Sequence, residues 1–312
     1  MCSNARLTGL AAPVQLDYKR QIVIEQLQRL GGVDDPGVIN AAMPRGRRTT
    51  VRCSVVQGRA GYRQRRSDAV FAADTCAAAH PLVEELIVHG RFGDATQVTI
   101  RAGSATGQRM VLTDGDPRSV AVPDDVVVVA ADDPGDAAIY EEIAGRRWRI
   151  SAQSFFQTSD TGAAALVDAV ADGVRAIDGS IVDLYAGVGL LGGGAAPAQL
   201  TCSVESNPSS SRDAAHNLGD DVRVVQSRVE RWKPSPFDAV IADPARRGLG
   251  KDGVRIIAGT QAAHLVLVSC DPAALGRDTA LLREDSWHYQ GGVVVDMFPD
   301  TSRIEVVSVL SR

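Results

Sequence analysis

The stretch Leu265-Val-Leu-Val-Ser-Cys270-Asp-Pro-Ala-Ala-Leu-Gly-Arg-Asp278 decides how this chain reads. Leu265 to Ser269 are apolar or small throughout, as in a strand buried on both faces of a parallel sheet. Asp271-Pro272 stops the ladder, because proline cannot donate to a sheet but suits the first turn of a helix. In open parallel sheets ligands bind just beyond the carboxyl ends of the strands. Cys270 is thus a thiol delivered to a candidate ligand crevice. By position alone a buried structural cysteine is the commoner fate, so the rest of the chain must decide between the two.

Outward from that strand, the second half alternates strand and helix from about residue 150. The pattern predicts helices over Ala163–Ile177, Ser210–Leu218 and after Pro272. It predicts strands over Ser180–Tyr185, Leu200–Glu205, Val222–Val225, Phe237–Ala242 and His264–Ser269, then Gly291–Met297 and Arg303–Leu310 as a closing pair. Five βα-type strands plus a terminal hairpin is the order of a class I methyltransferase-type Rossmann sheet with an antiparallel last strand. The first half reads differently. Pro13 to Leu30 is an amphipathic helix ended by Gly31-Gly32, and His80–His89 a second helix. Thr49–Val56, Ala69–Ala72, Val98–Ala102, Arg109–Leu112 and Val126–Ala130 read as strands, the first two forming a hairpin around the turn-rich, basic Gln57–Ser67. The fold expected is α/β, with a smaller N-terminal α/β domain over 1–148 and the Rossmann-like domain over 149–312.

Composition bounds the partners. The 312 residues carry a net charge of −5 with 45% hydrophobic residues, as in a globular chain long enough for two domains. No apolar run approaches the roughly 18 residues of a membrane span, and no signal-peptide core follows Met1, so a cytoplasmic protein, monomeric and away from membranes, is expected. Five cysteines at 2, 53, 76, 202 and 270 form no disulfide framework. Residues 40–70 hold eight arginines (45, 47, 48, 52, 59, 63, 65 and 66) against one acid, Asp68. Guanidinium forks bind phosphate oxygens bidentately, so the run is either a phosphate-binding face or a solvated loop edge.

Three further motifs carry chemistry. Asp183-Leu-Tyr-Ala-Gly187-Val-Gly189 follows the first Rossmann strand, its glycines letting the backbone pass close to a ligand. Glu205 ends the second strand, where an acid can take both hydroxyls of a ribose. Asp183 with Glu205 suits a cationic ligand better than a pyrophosphate, which both would repel. Asp243-Pro-Ala-Arg246-Arg-Gly248 ends the fourth strand and places an acid and an arginine beside Cys270, a setting expected to lower a thiol's pKa. Glu305 lies in an apolar strand on the face of Val307 and Val309, which favours a site over solvent.

Taken together, SFFQTS (154–159), DLYAGVG (183–189), Glu205, DPARRG (243–248), VSCDPAALGRD (268–278) and DMFPDTSRIE (296–305) resemble the bacterial RNA 5-methyluridine methyltransferases. The resemblance is strongest to the branch acting on 23S ribosomal RNA, and covers nearly the whole chain. It implies S-adenosylmethionine-dependent methylation of uracil C5 in ribosomal RNA, or in transfer RNA. A fold kept for RNA binding without turnover is the alternative from another class. It further implies Cys270 as nucleophile, Glu305 as base and Asp243 beside them. Gln157, Asp183, Tyr185, Gly187, Gly189, Leu190, Glu205 and Asp243 would line the cofactor. Arg45, Arg47, Arg48, Arg63, Arg65, Arg66 and Arg246 would meet RNA, with the N-terminal domain as the recognition module. Three departures stand out. The family's N-terminal OB-like (TRAM) barrel has no counterpart here. Only Cys2 and Cys76 fall on its iron–sulfur pattern, with Ala5 in place of one ligand, so no cluster is expected. Arg303 and Arg228 stand where the family usually has histidine and Asn or Asp.

Overall fold

The computed structural model describes residues 7–37, 39–42, 46–64 and 67–312. Helix α1 (Ala12–Arg29) opens the chain, with Pro13 in its first turn, and strand β1 (Ile39–Ala42) follows. Next come β2 (Thr50–Val56), β3 (Arg59–Arg63), β4 (Val70–Ala72), α2 (Pro81–His89), β5 (Arg91–Phe92), β6 (Gln97–Ala102), β7 (Arg109–Thr113), β8 (Val120–Ala121), β9 (Val126–Ala130), β10 (Ala138–Ile143) and β11 (Arg146–Ser151). The second half runs α3 (Asp160–Val174), β12 (Ile181–Leu184), α4 (Leu190–Ala195), β13 (Leu200–Glu205), α5 (Pro208–Leu218), β14 (Arg223–Gln226), β15 (Ala239–Ala242), α6 (Gly250–Gly259), β16 (His264–Ser269), α7 (Pro272–Glu284), β17 (His288–Val295) and β18 (Glu305–Ser311).

These elements form two compact units. Gly46–Ala163 is one; the described residues before it, from Leu7 on, join Ala164–Arg312 in the other. The units depart from the expected break at 148/149. The N-terminal segment belongs with the Rossmann-like unit, because β1 pairs parallel with β17, from Ile39 on Gly292 to Ala42 on Val295. Sheet hydrogen bonds to a strand distant in sequence override proximity along the chain.

In the Gly46–Ala163 unit a six-stranded sheet runs in the order β4-β3-β2-β6-β7-β9, antiparallel except for β7 with β9. The core beneath it gathers Val51, Cys53, Val98, Ile100 and Val111 with Val83, Leu86 and Ile87 of α2. A hairpin does begin in Gln57–Ser67, and the stretch also holds a strand of its own. Gln57 and Gly58, both left-handed at φ 51° and 71°, close a two-residue hairpin, and β3 occupies Arg59–Arg63. The hairpin β10–β11, also unforeseen, pairs Ala138 with Ser151 through Ile143 with Arg146.

In the other unit the sheet order is β1-β17-β18-β16-β15-β12-β13-β14, all parallel except β18, which runs antiparallel to β16 and β17. This is the Rossmann-like order expected, extended by β1. One sheet face presents Val182, Leu184, Val240, Ala242, Leu265 and Leu267 to Val23 and Leu27 of α1, Ile257 of α6 and Leu275 and Leu282 of α7. Alternation sends Val266 to the other face, where Gly173 of α3 packs on it and on Val309. Helices α1 and α7 touch through Gly276, where an added Cβ would stand 2.6 Å from the Gln26 carbonyl. The buried stripe of α1 is Gln15, Lys19, Val23 and Leu27, so half of it is polar. Lys19 pairs with Asp296 at 2.6 Å, both fully buried. Removing one partner of such a pair costs about 3–5 kcal/mol. No described helix is long and apolar enough to cross a membrane.

Candidate active site

The Rossmann-like unit collects its chemistry at the carboxyl ends of β12, β15 and β16 and at the start of β18. Because β18 runs antiparallel to β16, its first residue, Glu305, comes beside the last rung of β16, where Ser269 faces Val306. Cys270 follows that rung directly and is half-buried. Asp271 then caps α7, accepting from the Ala274 N–H at 2.9 Å, so the helix start fixes the backbone on which the thiol sits. Asp243 follows β15, its N–H donating to the Leu184 carbonyl at 3.2 Å.

Four side chains act on one another here. Arg246 hydrogen-bonds the Cys270 sulfur, while Glu305 and Asp243 lie close enough to act on it electrostatically. The thiol is nevertheless pushed up from its ordinary value, against the expectation that an arginine beside it would lower it. Burial is the largest cause, followed by Glu305; the Arg246 hydrogen bond pulls the other way. Burial and then Asp243 push the Glu305 carboxyl up to about 8, opposed by Arg246 and Arg303. Burial alone raises Asp243 to about 7. Burial is the main cause for both acids, since a low-dielectric surrounding disfavours the charged form.

On the β12 side, Asp183 is fully buried; its Oδ2 accepts from the Gly192 N–H at 3.0 Å and its Oδ1 has no partner. Burial pushes its carboxyl up to about 7, against the Gly192 N–H, and the charges of Asp243 and Glu205 add to the rise. Tyr185 takes up a left-handed backbone at φ 61°, uncommon outside glycine, and its hydroxyl donates to Glu230 at 3.3 Å. Gly187 donates its N–H to Glu205 Oε2 at 2.8 Å, and Glu205 Oε1 accepts from the Asn207 N–H at 2.5 Å. Glu205 thus ties the turn after β12 to the turn after β13; Oε1 also accepts from the Ser206 hydroxyl at 3.2 Å, which leaves acceptor capacity on Oε2. Leu190 is buried at the start of α4.

The sequence reading overlooked the part played by Asp278. It is buried on α7 and accepts from the N–H groups of Leu249 at 2.7 Å and Gly250 at 3.0 Å, anchoring the loop that carries Arg246. Gly248 in that loop has φ 81°, and any Cβ there would collide with the Asp278 carboxylate. The signal available was an acid among the apolar positions of α7, Leu275 and Leu282. Arg303, exposed and 5.8 Å above the Phe298 ring, is a second residue that bears on Glu305.

The remaining candidates lie elsewhere. Gln157 is half-buried in the Gly46–Ala163 unit. Of the arginine run, Arg45, Arg65 and Arg66 fall outside the described residues, as does Cys2. Arg47 is exposed, Arg48 half-buried, and Arg63 exposed and 3.4 Å from Asp68. The described residues do not suit a cysteine-held cluster. The Cys76 sulfur lies 2.9 Å from the Tyr62 hydroxyl, which also hydrogen-bonds Cys53, and no described group of three or more His, Cys, Asp or Glu is placed to hold a metal ion.

Comparison with known proteins gives relatives over nearly the full chain. An uncharacterized RNA methyltransferase of Streptomyces coelicolor is 32% identical, the match covering 95% of this chain and 73% of the relative. One of Streptomyces avermitilis is 31% identical, covering 95% and 77%. No protein-family model matches the chain. Among solved structures, the tRNA (uracil-54, C5)-methyltransferase of Pyrococcus abyssi, in complex with S-adenosyl-L-homocysteine, superposes with a TM-score of 0.81. It covers 98% of this chain and 85% of its own at 22% identity, a likeness of fold.

Proposed function

This chain belongs to the RNA methyltransferase family, and we propose that it methylates C5 of a uridine in RNA, 23S ribosomal RNA foremost, through a covalent adduct on Cys270. The observation that carries the proposal is the meeting of Cys270, Arg246, Asp243 and Glu305 at the ends of β15, β16 and β18. Uracil C5 is a weak nucleophile until a thiolate adds to C6. In the proposed path the Cys270 sulfur bonds C6, and the C5–C6 π pair moves toward the C4 oxygen. C5 then takes the methyl group. The Glu305 carboxylate removes the C5 proton, the freed C–H pair re-forms the C5–C6 double bond, and the C6–S bond breaks with its pair returning to Cys270.

S-adenosylmethionine, when bound, would supply the methyl group as an electrophilic carbon on a cationic sulfonium. The residues present fit it. Asp183 has an unpartnered buried oxygen, Glu205 Oε2 keeps an acceptor site, and three carboxyls are raised by burial, which a cationic ligand beside them would offset. Tyr185, Gly187, Gly189 and Leu190 would line its adenosyl side. Arg246 would hold the thiolate once formed and, with Arg47, Arg48 and Arg63, meet RNA phosphates. An Asp at 243, where cytosine-C5 enzymes of this fold carry a second cysteine, favours uracil.

The test is labelled-methyl transfer to undermethylated ribosomal and transfer RNA, with the product mapped. RNA containing 5-fluorouridine should trap Cys270 in an adduct that survives denaturing electrophoresis, since fluorine cannot leave as a cation. Cys270→Ala should form none. Methylated product from Cys270→Ala would remove the covalent path, and absence of transfer to either RNA would favour the non-catalytic alternative.

A further inference from the structure

We propose that helix α1 is the positioning element for the base, with Lys19 and Gln15 holding the connection between β17 and β18 in the shape that presents Glu305 to Cys270. The inference rests on the reading of Glu305 as the base. Val295 and Glu305 are paired across the two strands, so residues 296–304 bulge out of the sheet between them. A connection outside the ladder has no sheet bonds to fix it. Here α1 supplies the bonds instead. Lys19 Nζ donates to Asp296 Oδ1 at 2.6 Å and to the Phe298 carbonyl at 3.0 Å. Asp296 Oδ1 also accepts from the Phe298 N–H at 3.1 Å.

One helical turn earlier, Gln15 and Asp300 exchange two hydrogen bonds. The Asp300 N–H donates to Gln15 Oε1 at 2.8 Å, and Gln15 Nε2 donates to Asp300 Oδ1 at 2.9 Å. Leu7 N–H reaches the Asp300 carbonyl at 3.0 Å. Asp300 is left-handed at φ 64°, a conformation a non-glycine residue keeps only when its surroundings impose it. From there the ties continue to the base. Thr301 donates its hydroxyl to the Phe298 carbonyl at 2.8 Å and accepts from the Arg303 N–H at 3.2 Å. Ile304 is anchored in the core, and Glu305 is next.

Lysine and glutamine are poor choices for the buried stripe of a helix unless their polar atoms are used. Asp296 Oδ2 is buried without a partner, so the ion pair is not arranged for greatest stability. Both facts suit a device that fixes a position. Displacing a reacting group by about 1 Å costs on the order of a hundredfold in rate.

The experiment uses Gln15→Leu, Lys19→Met and Lys19→Arg in the full chain, with uridine RNA and labelled S-adenosylmethionine under rapid quench. Gln15→Leu and Lys19→Met should lower turnover about 10- to 100-fold with kcat/KM within about twofold of wild type, because the slowed step follows irreversible methyl transfer. A methylated, denaturation-stable adduct should build up in each, as in Glu305→Gln, because addition and methyl transfer precede the step that Glu305 performs. Lys19→Arg should restore most of the turnover. If Lys19→Met does not fold, Gln15→Leu decides. Wild-type adduct decay in the folded variants overturns the inference and leaves the base assignment standing. So does loss of adduct formation along with turnover in a folded Gln15→Leu protein, since the helix would then serve the whole site. If wild-type protein forms no adduct even with 5-fluorouridine RNA, the covalent reading fails and this inference with it.

Discussion

Glu305 is raised to about 8, and in the proposed path it must lose that proton before it can act as the base. A carboxyl with that value is about 1% ionised at pH 6, about 9% at pH 7 and about 90% at pH 9. Decay of the methylated adduct should therefore quicken about tenfold between pH 6 and 7, and by less than about twofold between pH 8 and 9. An ordinary carboxylate, ionised throughout that range, would give a flat profile. The assay forms the adduct with labelled methyl donor, jumps the pH, and counts label surviving in a denaturing gel. Timing the decay alone keeps ionisation of Cys270, needed for the earlier addition, out of the measured step. Glu305→Gln should decay slowly at every pH. A wild-type profile flat from pH 6 to 8, or one rising only near pH 4–5, would refute the account of a base held neutral by burial and by Asp243.

Three further outcomes can be checked. Asp183, Asp243 and Glu305 have folded values above their unfolded ones, so the stability they lend is fully present below about pH 4 and is lost as pH rises through about 7 to 8. The urea midpoint should accordingly fall from pH 5.5 to 8.5, less so in Asp183→Asn. Gly248→Ala combines a left-handed backbone with a collision at Asp278, and should cost about 2–4 kcal/mol in urea unfolding. Arg246→Gln removes the hydrogen bond that favours the ionised sulfur, so alkylation of Cys270 by iodoacetamide at pH 8 should slow; unchanged alkylation would separate the two residues.

Strands β15 and β16 were legible because strands buried on both faces need unbroken apolar runs. Strand β1 was not, since Ile39-Asn40-Ala41-Ala42 carries no such run and is made a strand by its partner β17. Helix α1 was visible as an amphipathic helix, but the polar half of its inward stripe was not. Val23 and Leu27 lie in the buried stripe with Gln15 and Lys19, while Leu16, Ile22 and Ile24 are partly buried beside it. That stripe meets a connection full of backbone polar groups, which periodicity does not record. The site showed the same division. Cys270, Asp243 and Glu305 were marked by their places at strand ends, whereas the direction of the thiol's shift depends on how deeply it is buried and on a carboxyl 35 positions along the chain.

Lys19 and Asp296 are separated by 277 residues, with the whole Gly46–Ala163 unit made in between. A ribosome adds about 5–20 residues per second, so helix α1 waits on the order of ten seconds to a minute for the loop it will grip. An all-apolar stripe exposed for that time would seek any other greasy surface in reach. With Gln15 and Lys19 occupying half of it, the nascent helix stays wetted until its carboxylate partner is synthesised.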